Sequence, residues 1–223
     1  MKVSAVFVTS AADAAGLPRE GLAELAMVGR SNVGKSSLIN ALVRQKIARI
    51  SGSPGKTRLV NFFRVTAGAG PPFLLVDLPG YGYARGAPEK ARRGLTGAKG
   101  REATAREFEA ATNAYFRARA EDREARASIL LLVDSRHPGL PADRTAWEWL
   151  SATGLPCHVV ATKVDKLTRA ERQRHLRELE KAHDGPVTAV SAVTGEGLDE
   201  LWRLIVRLLR QPPAATAPPP PTR

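Results

Sequence analysis

The chain has 223 residues, 43% hydrophobic and 25% charged, which suits one well-buried domain and is too short for two ordinary domains plus a tail. No run approaches the ~18 apolar residues of a membrane span, and the opening MKVSAVFVTSAAD, with one Lys and a short apolar run broken by Ser and Thr, reads as a strand and not an export signal. The net charge of +12 asks for a polyanionic partner, nucleic acid before membrane surface, although the Arg- and Ala-rich composition favoured by GC-rich genomes produces the same excess.

Apolar, β-branched runs alternate with amphipathic stretches, the pattern of a βα-repeating chain around a mostly parallel sheet with helices on both faces. The expected strands are Val3–Val8, Leu22–Val28, Leu59–Thr66, Phe73–Asp77, Ser128–Asp134, Cys157–Thr162 and Val187–Val190. Helices are expected at Lys35–Arg44, roughly Arg101–Arg119, Ala142–Ala152, Arg169–His183 and Leu198–Leu209. The turn AGAGPP between the third and fourth strands is too short for a crossover helix, so those two must pair antiparallel. Residues 84–100, rich in Gly, Lys and Arg, read as a mobile loop. One domain over 1–210 is expected, followed by a disordered Pro-rich tail over 211–223. Trp147 and Trp202 read as core-facing or half-buried helix residues. Cys157, alone in the chain, cannot form an internal disulfide and reads as a buried strand residue in a cytoplasmic protein.

The segment Gly29-Arg30-Ser31-Asn32-Val33-Gly34-Lys35-Ser36 matches GxxxxGK[ST] between the strand LAMV and the helix SSLINALV. Its glycines let backbone amides turn inward around phosphates, while the helix that follows presents unpaired amides and the positive end of its dipole. Lys35 bridges the terminal phosphates in this reading, Ser36 offers a hydroxyl to Mg2+, and Ser37 donates to the inner phosphate. Asp77-Leu78-Pro79-Gly80 ends the strand FLLV at the carboxyl edge of the sheet. There Asp77 can hold magnesium through water, and the Gly80 amide can reach a terminal phosphate. Between the two lies SGSPGKTRLVNFF, whose Gly55, Lys56 and Thr57 form a second candidate contact; a Thr57 hydroxyl on magnesium and its amide on the third phosphate would release the loop on hydrolysis. The candidate metal ligands are thus Ser36, Thr57 and Asp77, and the candidate catalytic groups Lys35, Thr57 and Gly80.

A phosphate loop does not choose a base. Thr162-Lys163-Val164-Asp165 follows the strand CHVVA, and a carboxylate there accepts the ring N–H and exocyclic amine of guanine, a donor pair adenine lacks. Lys163 would lie along the ring, and Ser191-Ala192-Val193 would supply an amide to the guanine carbonyl. The first residue of such a box is usually Asn; Thr162 departs from this, yet can still tie neighbouring loops together. Two other classes stay open: an adenine-using P-loop enzyme such as a small kinase, and a GTP-holding scaffold with little hydrolysis.

With GRSNVGKSS, SPGKTRLVNFF, DLPGYGYA, DSRHP, TKVDK and SAVTGEG in order, the chain resembles the YihA/EngB (YsxC) family of bacterial GTPases over roughly Val3 to Leu209. The Thr of TKVD is itself usual in that family. The resemblance implies a Ras-like fold with one antiparallel strand pair, Mg2+-dependent hydrolysis of GTP to GDP, assembly of the large ribosomal subunit as partner, and a need for the protein in septation and cell division. No membrane association and a monomer are expected. Arg58 stands where the family usually has Gln, and Lys56 where Arg is frequent.

In Ras-like proteins a Gln beside the glycine equivalent to Gly80 orients the attacking water. Here that position is Tyr81, which has no amide, so slow intrinsic turnover is expected until something completes the site. Two candidates are a K+ ion bound with help from Asn32, and a ribosomal surface that orders the loops at Thr57 and after Tyr81. The basic run Arg85, Lys90, Arg92, Arg93, Lys99 and Arg101 directly follows and is a candidate contact to ribosomal RNA.

Overall fold

The computed structural model describes residues 2–48, 59–81, 110–122 and 124–211. The expectations for Gly55, Lys56, Thr57 and Arg58, for the basic loop, for the first part of the helix expected from Arg101, and for the tail from residue 212 lie outside the described residues.

Among the described residues seven strands form one sheet: β1 (Val3–Ala11), β2 (Ala23–Gly29), β3 (Val60–Ala67), β4 (Phe73–Asp77), β5 (Ala127–Asp134), β6 (Cys157–Thr162) and β7 (Val187–Ala189). Their order is β1-β3-β4-β2-β5-β6-β7. From β4 to β7 all neighbours are parallel. The expected antiparallel pair is β3 with β4, and β3, running against the rest, pairs antiparallel with β1 as well. β1 extends to Ala11 because a bulge at Val8 keeps it in register with β3, where the Ser10 hydroxyl donates to Asn61 Oδ1 at 2.7 Å.

The helices are α1 (Lys35–Val43), α2 (110–121), α3 (Pro141–Ser151), α4 (Arg169–His183) and α5 (Leu198–Leu209). α3 starts one residue earlier than the apolar periodicity suggests, with Pro141 at its first turn, where a missing N–H costs nothing. α4 is closed by a capping box between Thr168 and Glu171.

β2 and β5 are buried along their whole length, as strands covered on both faces must be, and this explains their unbroken apolar runs. Alternate residues feed two cores. Leu25, Met27, Leu75, Leu130 and Leu132 pack under α1 and α5, and Ala26, Val28, Val76, Ile129, Leu131 and Val133 pack under α2, α3 and α4. Trp202 is half-buried edge-on to Phe73, and Trp147 half-buried edge-on to His183. Cys157 is half-buried against the second core. Every βα connection leaves the carboxyl edge, so Gly29, Asp77, Asp134 and Thr162 end their strands along one rim, the edge at which open α/β sheets take ligands. Among the described residues no helix is long and apolar enough to cross a membrane.

Candidate nucleotide-binding site

The rim is built first from the loop between β2 and α1. Gly29 is packed so tightly that a Cβ would lie 2.8 Å from Val33 Cγ1 and 2.9 Å from Leu132 O. Asn32 and Gly34 take left-handed conformations, with φ of 64° and 105°, which curl the loop over the start of α1. Gly34 precedes α1 with no side chain capping its first turn, so the amides at that end remain directed into the cradle. Ser36 and Ser37 sit half-buried in the first turn. Lys35 is buried, and its ammonium is ion-paired with the buried Asp77 carboxylate at the end of β4. The structure thus brings Lys35 and Asp77 together, 42 positions apart in the chain.

Leu78, Pro79 and Gly80 follow β4 across the top of β2. The Leu78 amide donates to Met27 O at 3.3 Å, and a Cβ on Gly80 would lie 3.0 Å from both Ser31 N and Ser31 Oγ. Only glycine lets this strand of backbone approach the phosphate loop so closely. Among the described residues no group of three or more His, Cys, Asp or Glu side chains is placed to hold a metal. The oxygen donors of Ser36 and Asp77 are nonetheless the chemistry a hard cation takes when phosphate oxygens complete its shell.

The base-reading residues gather on the same rim. Thr162 Oγ1 donates to Val33 O at 2.7 Å and lies 3.1 Å from Val133 O, so this hydroxyl joins the phosphate loop to the ends of β5 and β6. Lys163 has φ 62° and sends its ammonium back over the loop, donating to Asn32 O at 2.6 Å and to Asp134 Oδ2 at 2.9 Å. Burial alone would raise the Asp134 carboxyl, but hydrogen bonds from Arg136 and Lys163 outweigh it and hold it well below the usual carboxylate range. Val164 is buried, and its amide donates to Val190 O at 3.3 Å, docking this segment on the end of β7. The Ser191 hydroxyl donates to Asp165 Oδ1 at 2.7 Å while accepting the amides of Val193 and Thr194 at 3.2 and 3.1 Å. That bond aims the Asp165 carboxylate and lowers its pKa below the ordinary value. Ala192 is half-buried and Val193 exposed beside it.

Two placements depart from simple expectation. The Arg30 side chain turns away from the cradle and donates to Asp143 Oδ1 on α3 at 2.9 Å, and the Tyr81 hydroxyl donates to that same oxygen at 2.9 Å. Asp143 carries no motif signal, because its partners are 62 and 113 positions away, and the motifs give Asp134 and Arg136 no role of their own. The string DSRHP was the one available signal for Asp134 and Arg136.

The sequence matches the family described as 50S ribosome-binding GTPase over residues 24–163. It is 42% identical over 213 residues to the "Probable GTP-binding protein EngB" of Pelotomaculum thermopropionicum, covering 93% of this chain and 96% of that one. The protein of the same name in Clostridioides difficile is 38% identical over 217 residues, covering 95% and 96%. Among solved structures, Era in complex with MgGDPNP and nucleotides 1506–1542 of 16S ribosomal RNA superposes with a TM-score of 0.65 at 25% identity, over 85% of this chain and 57% of that one. A probable GTP-binding protein engB superposes with a TM-score of 0.62 at 22% identity, over 84% and 99%. Relatives matched nearly end to end, and a GTPase family match across most of the sheet, place the chain in the EngB family of GTPases.

Proposed function

We propose that the chain is a Mg2+-dependent guanine-nucleotide switch that hydrolyses GTP slowly on its own and serves assembly of the large ribosomal subunit. The observation that carries the guanine reading is the Asp165 carboxylate, oriented by the Ser191 hydroxyl on the rim that also carries the phosphate loop. A carboxylate so directed accepts both donors on one edge of guanine, and covering it with a base that lacks them is costly, which disfavours adenine. Gly29 to Ser37 would cradle the phosphates, Lys35 and the Gly80 amide would meet the terminal phosphate, and Ser36 and Thr57, with Asp77 through water, would hold the magnesium ion. When bound, magnesium supplies the positive charge that offsets charge developing on the phosphates.

Slow intrinsic hydrolysis is favoured by Tyr81, whose phenol is engaged with Asp143 and so is not free to align water. A K+ ion near Asn32 or a ribosomal surface would complete the site; equal turnover in sodium and potassium excludes the former. The ribosomal role is supported by the family description, by the RNA-bound Era neighbour and by the net charge of +12. A requirement in septation would then follow from ribosome supply.

The test compares GDP, ADP and xanthosine diphosphate binding, with magnesium and with chelator, in wild type and Asp165→Asn. Wild type should prefer GDP, and Asp165→Asn should prefer the xanthine nucleotide, whose C2 oxygen accepts from the new amide. Absence of guanine preference in wild type would sink the reading. Co-sedimentation with large subunits in the presence of a GTP analogue but not GDP tests the ribosomal part, and binding to neither state would remove it.

A further inference from the structure

Tyr81 is held by three hydrogen bonds, two to the phosphate loop and one to α3. The Tyr81 amide donates to Gly29 O at 3.2 Å, the Ser31 amide donates to Tyr81 O at 3.1 Å, and the Tyr81 hydroxyl donates to Asp143 Oδ1 at 2.9 Å. The first two form a one-residue parallel bridge between Arg30 and Tyr81 that continues the pairing of β2 with β4 beyond the strand ends. The third reaches a carboxylate that is 2% exposed on α3 and that also takes Arg30 Nε at 2.9 Å. A carboxylate buried this deeply is costly unless its donors stay in place, so Asp143 holds both ends of the bridge at once.

The bridge has a consequence for the phosphates. The Ser31 amide belongs to the loop whose inward amides would receive them, yet here it is taken by a protein carbonyl. Gly80 lies in contact with Ser31, so its amide cannot swing toward a third phosphate unless Tyr81 leaves Gly29 and Ser31. A diphosphate asks for no such movement.

Resting on the guanine-nucleotide reading above, we propose that Tyr81 and Asp143 are specificity-determining residues for nucleotide state: by latching the Gly80 segment onto the phosphate loop they favour GDP over GTP. The latch acts through position and not through contact with the reacting atoms, and Arg30 serves it from the phosphate loop.

Tyr81→Phe removes one oxygen and leaves the ring packing. Affinities for fluorescent GDP and for a fluorescent non-hydrolysable GTP analogue, measured in magnesium on the full chain, should show the triphosphate gaining about tenfold relative to GDP, the effect of one lost bond to a charged acceptor. Affinity for GDP itself should stay near wild type. Asp143→Asn, which keeps a neutral acceptor, should shift the ratio the same way by less; if that variant fails to fold, Tyr81→Phe alone decides. An unchanged ratio in folded Tyr81→Phe, equal weakening of both nucleotides, or a shift toward GDP each overturns the latch. If wild type binds GDP and Tyr81→Phe gives one of those results, only the latch is lost, whereas wild type that binds neither guanine nucleotide overturns the underlying reading as well.

Discussion

Thr162→Val is the sharpest probe of how the rim is assembled, because it keeps the branched shape and deletes only the donor. The Thr162 side chain is buried, and its hydroxyl gives its one proton to Val33 O at 2.7 Å, leaving Val133 O at 3.1 Å as a secondary neighbour. In the variant the Val33 carbonyl loses this partner in a buried site, which costs roughly 2 kcal/mol. For a domain of this size that lowers Tm by roughly 4–8 °C. Since Val33 lies within the phosphate loop, GDP affinity should fall several-fold along with stability. Differential scanning calorimetry with and without saturating GDP, beside a direct titration, gives both quantities. Thr162→Ser should remain near wild type. Thr162→Asn, whose amide has two donors for the two carbonyls, should equal or exceed it, which is the physical reason Asn is usual at such positions. A Thr162→Val protein melting within about 1 °C of wild type would refute the reasoning, because no unpaired carbonyl of this kind costs so little.

Three further outcomes are expected. Gly197 has φ 74° at the start of α5, and a Cβ there would collide with the carbonyl oxygen of Ala189, so Gly197→Ala should lose about 3 kcal/mol or more in urea unfolding; a loss under about 1 kcal/mol would contradict the packing. Burial pushes the Cys157 thiol up to about 12, so disulfide exchange with an aromatic reagent at pH 8 should run roughly a thousandfold slower in the native protein than in the unfolded chain, and comparable rates would refute that burial. Asp134, held below the usual carboxylate range by Arg136 and Lys163, contributes stability present above pH ~4 and lost as the pH falls through its folded pKa. Asp134→Asn should therefore flatten the acid limb of the stability profile, and an unchanged slope below pH ~4 would count against the pairing.

The elements were legible wherever the cause is local. β2 and β5 announce themselves because strands covered on both faces carry no polar alternation, and the β3–β4 reversal follows from a linker too short to cross over. The extension of β1 to Ala11 was not legible, since it depends on a bulge and on pairing with a strand about fifty residues away. The motif residues of the rim could be found without a structure because each short string ends a strand at the same edge. Their mutual support could not. Nothing near Lys163 says that its ammonium meets Asp134, nor does anything near Asp165 single out the Ser191 hydroxyl as the group that aims it.

Asp143 shows why such contacts escape a reading of sequence. In the first turn of α3, after Pro141, an Asp reads as an exposed carboxylate complementing the helix dipole, a reading with its own sound physics. What changes its meaning is the strand order. β2 lies between β4 and β5, so the segment leaving β4 and the helix that follows β5 both pass over the end of β2. Tyr81 arrives from one side, Asp143 from the other, and Arg30, the residue just beyond β2, lies between them. The three side chains meet because the order is β4-β2-β5, and a sheet in which β2 lay at an edge could carry every motif named above and still form no latch.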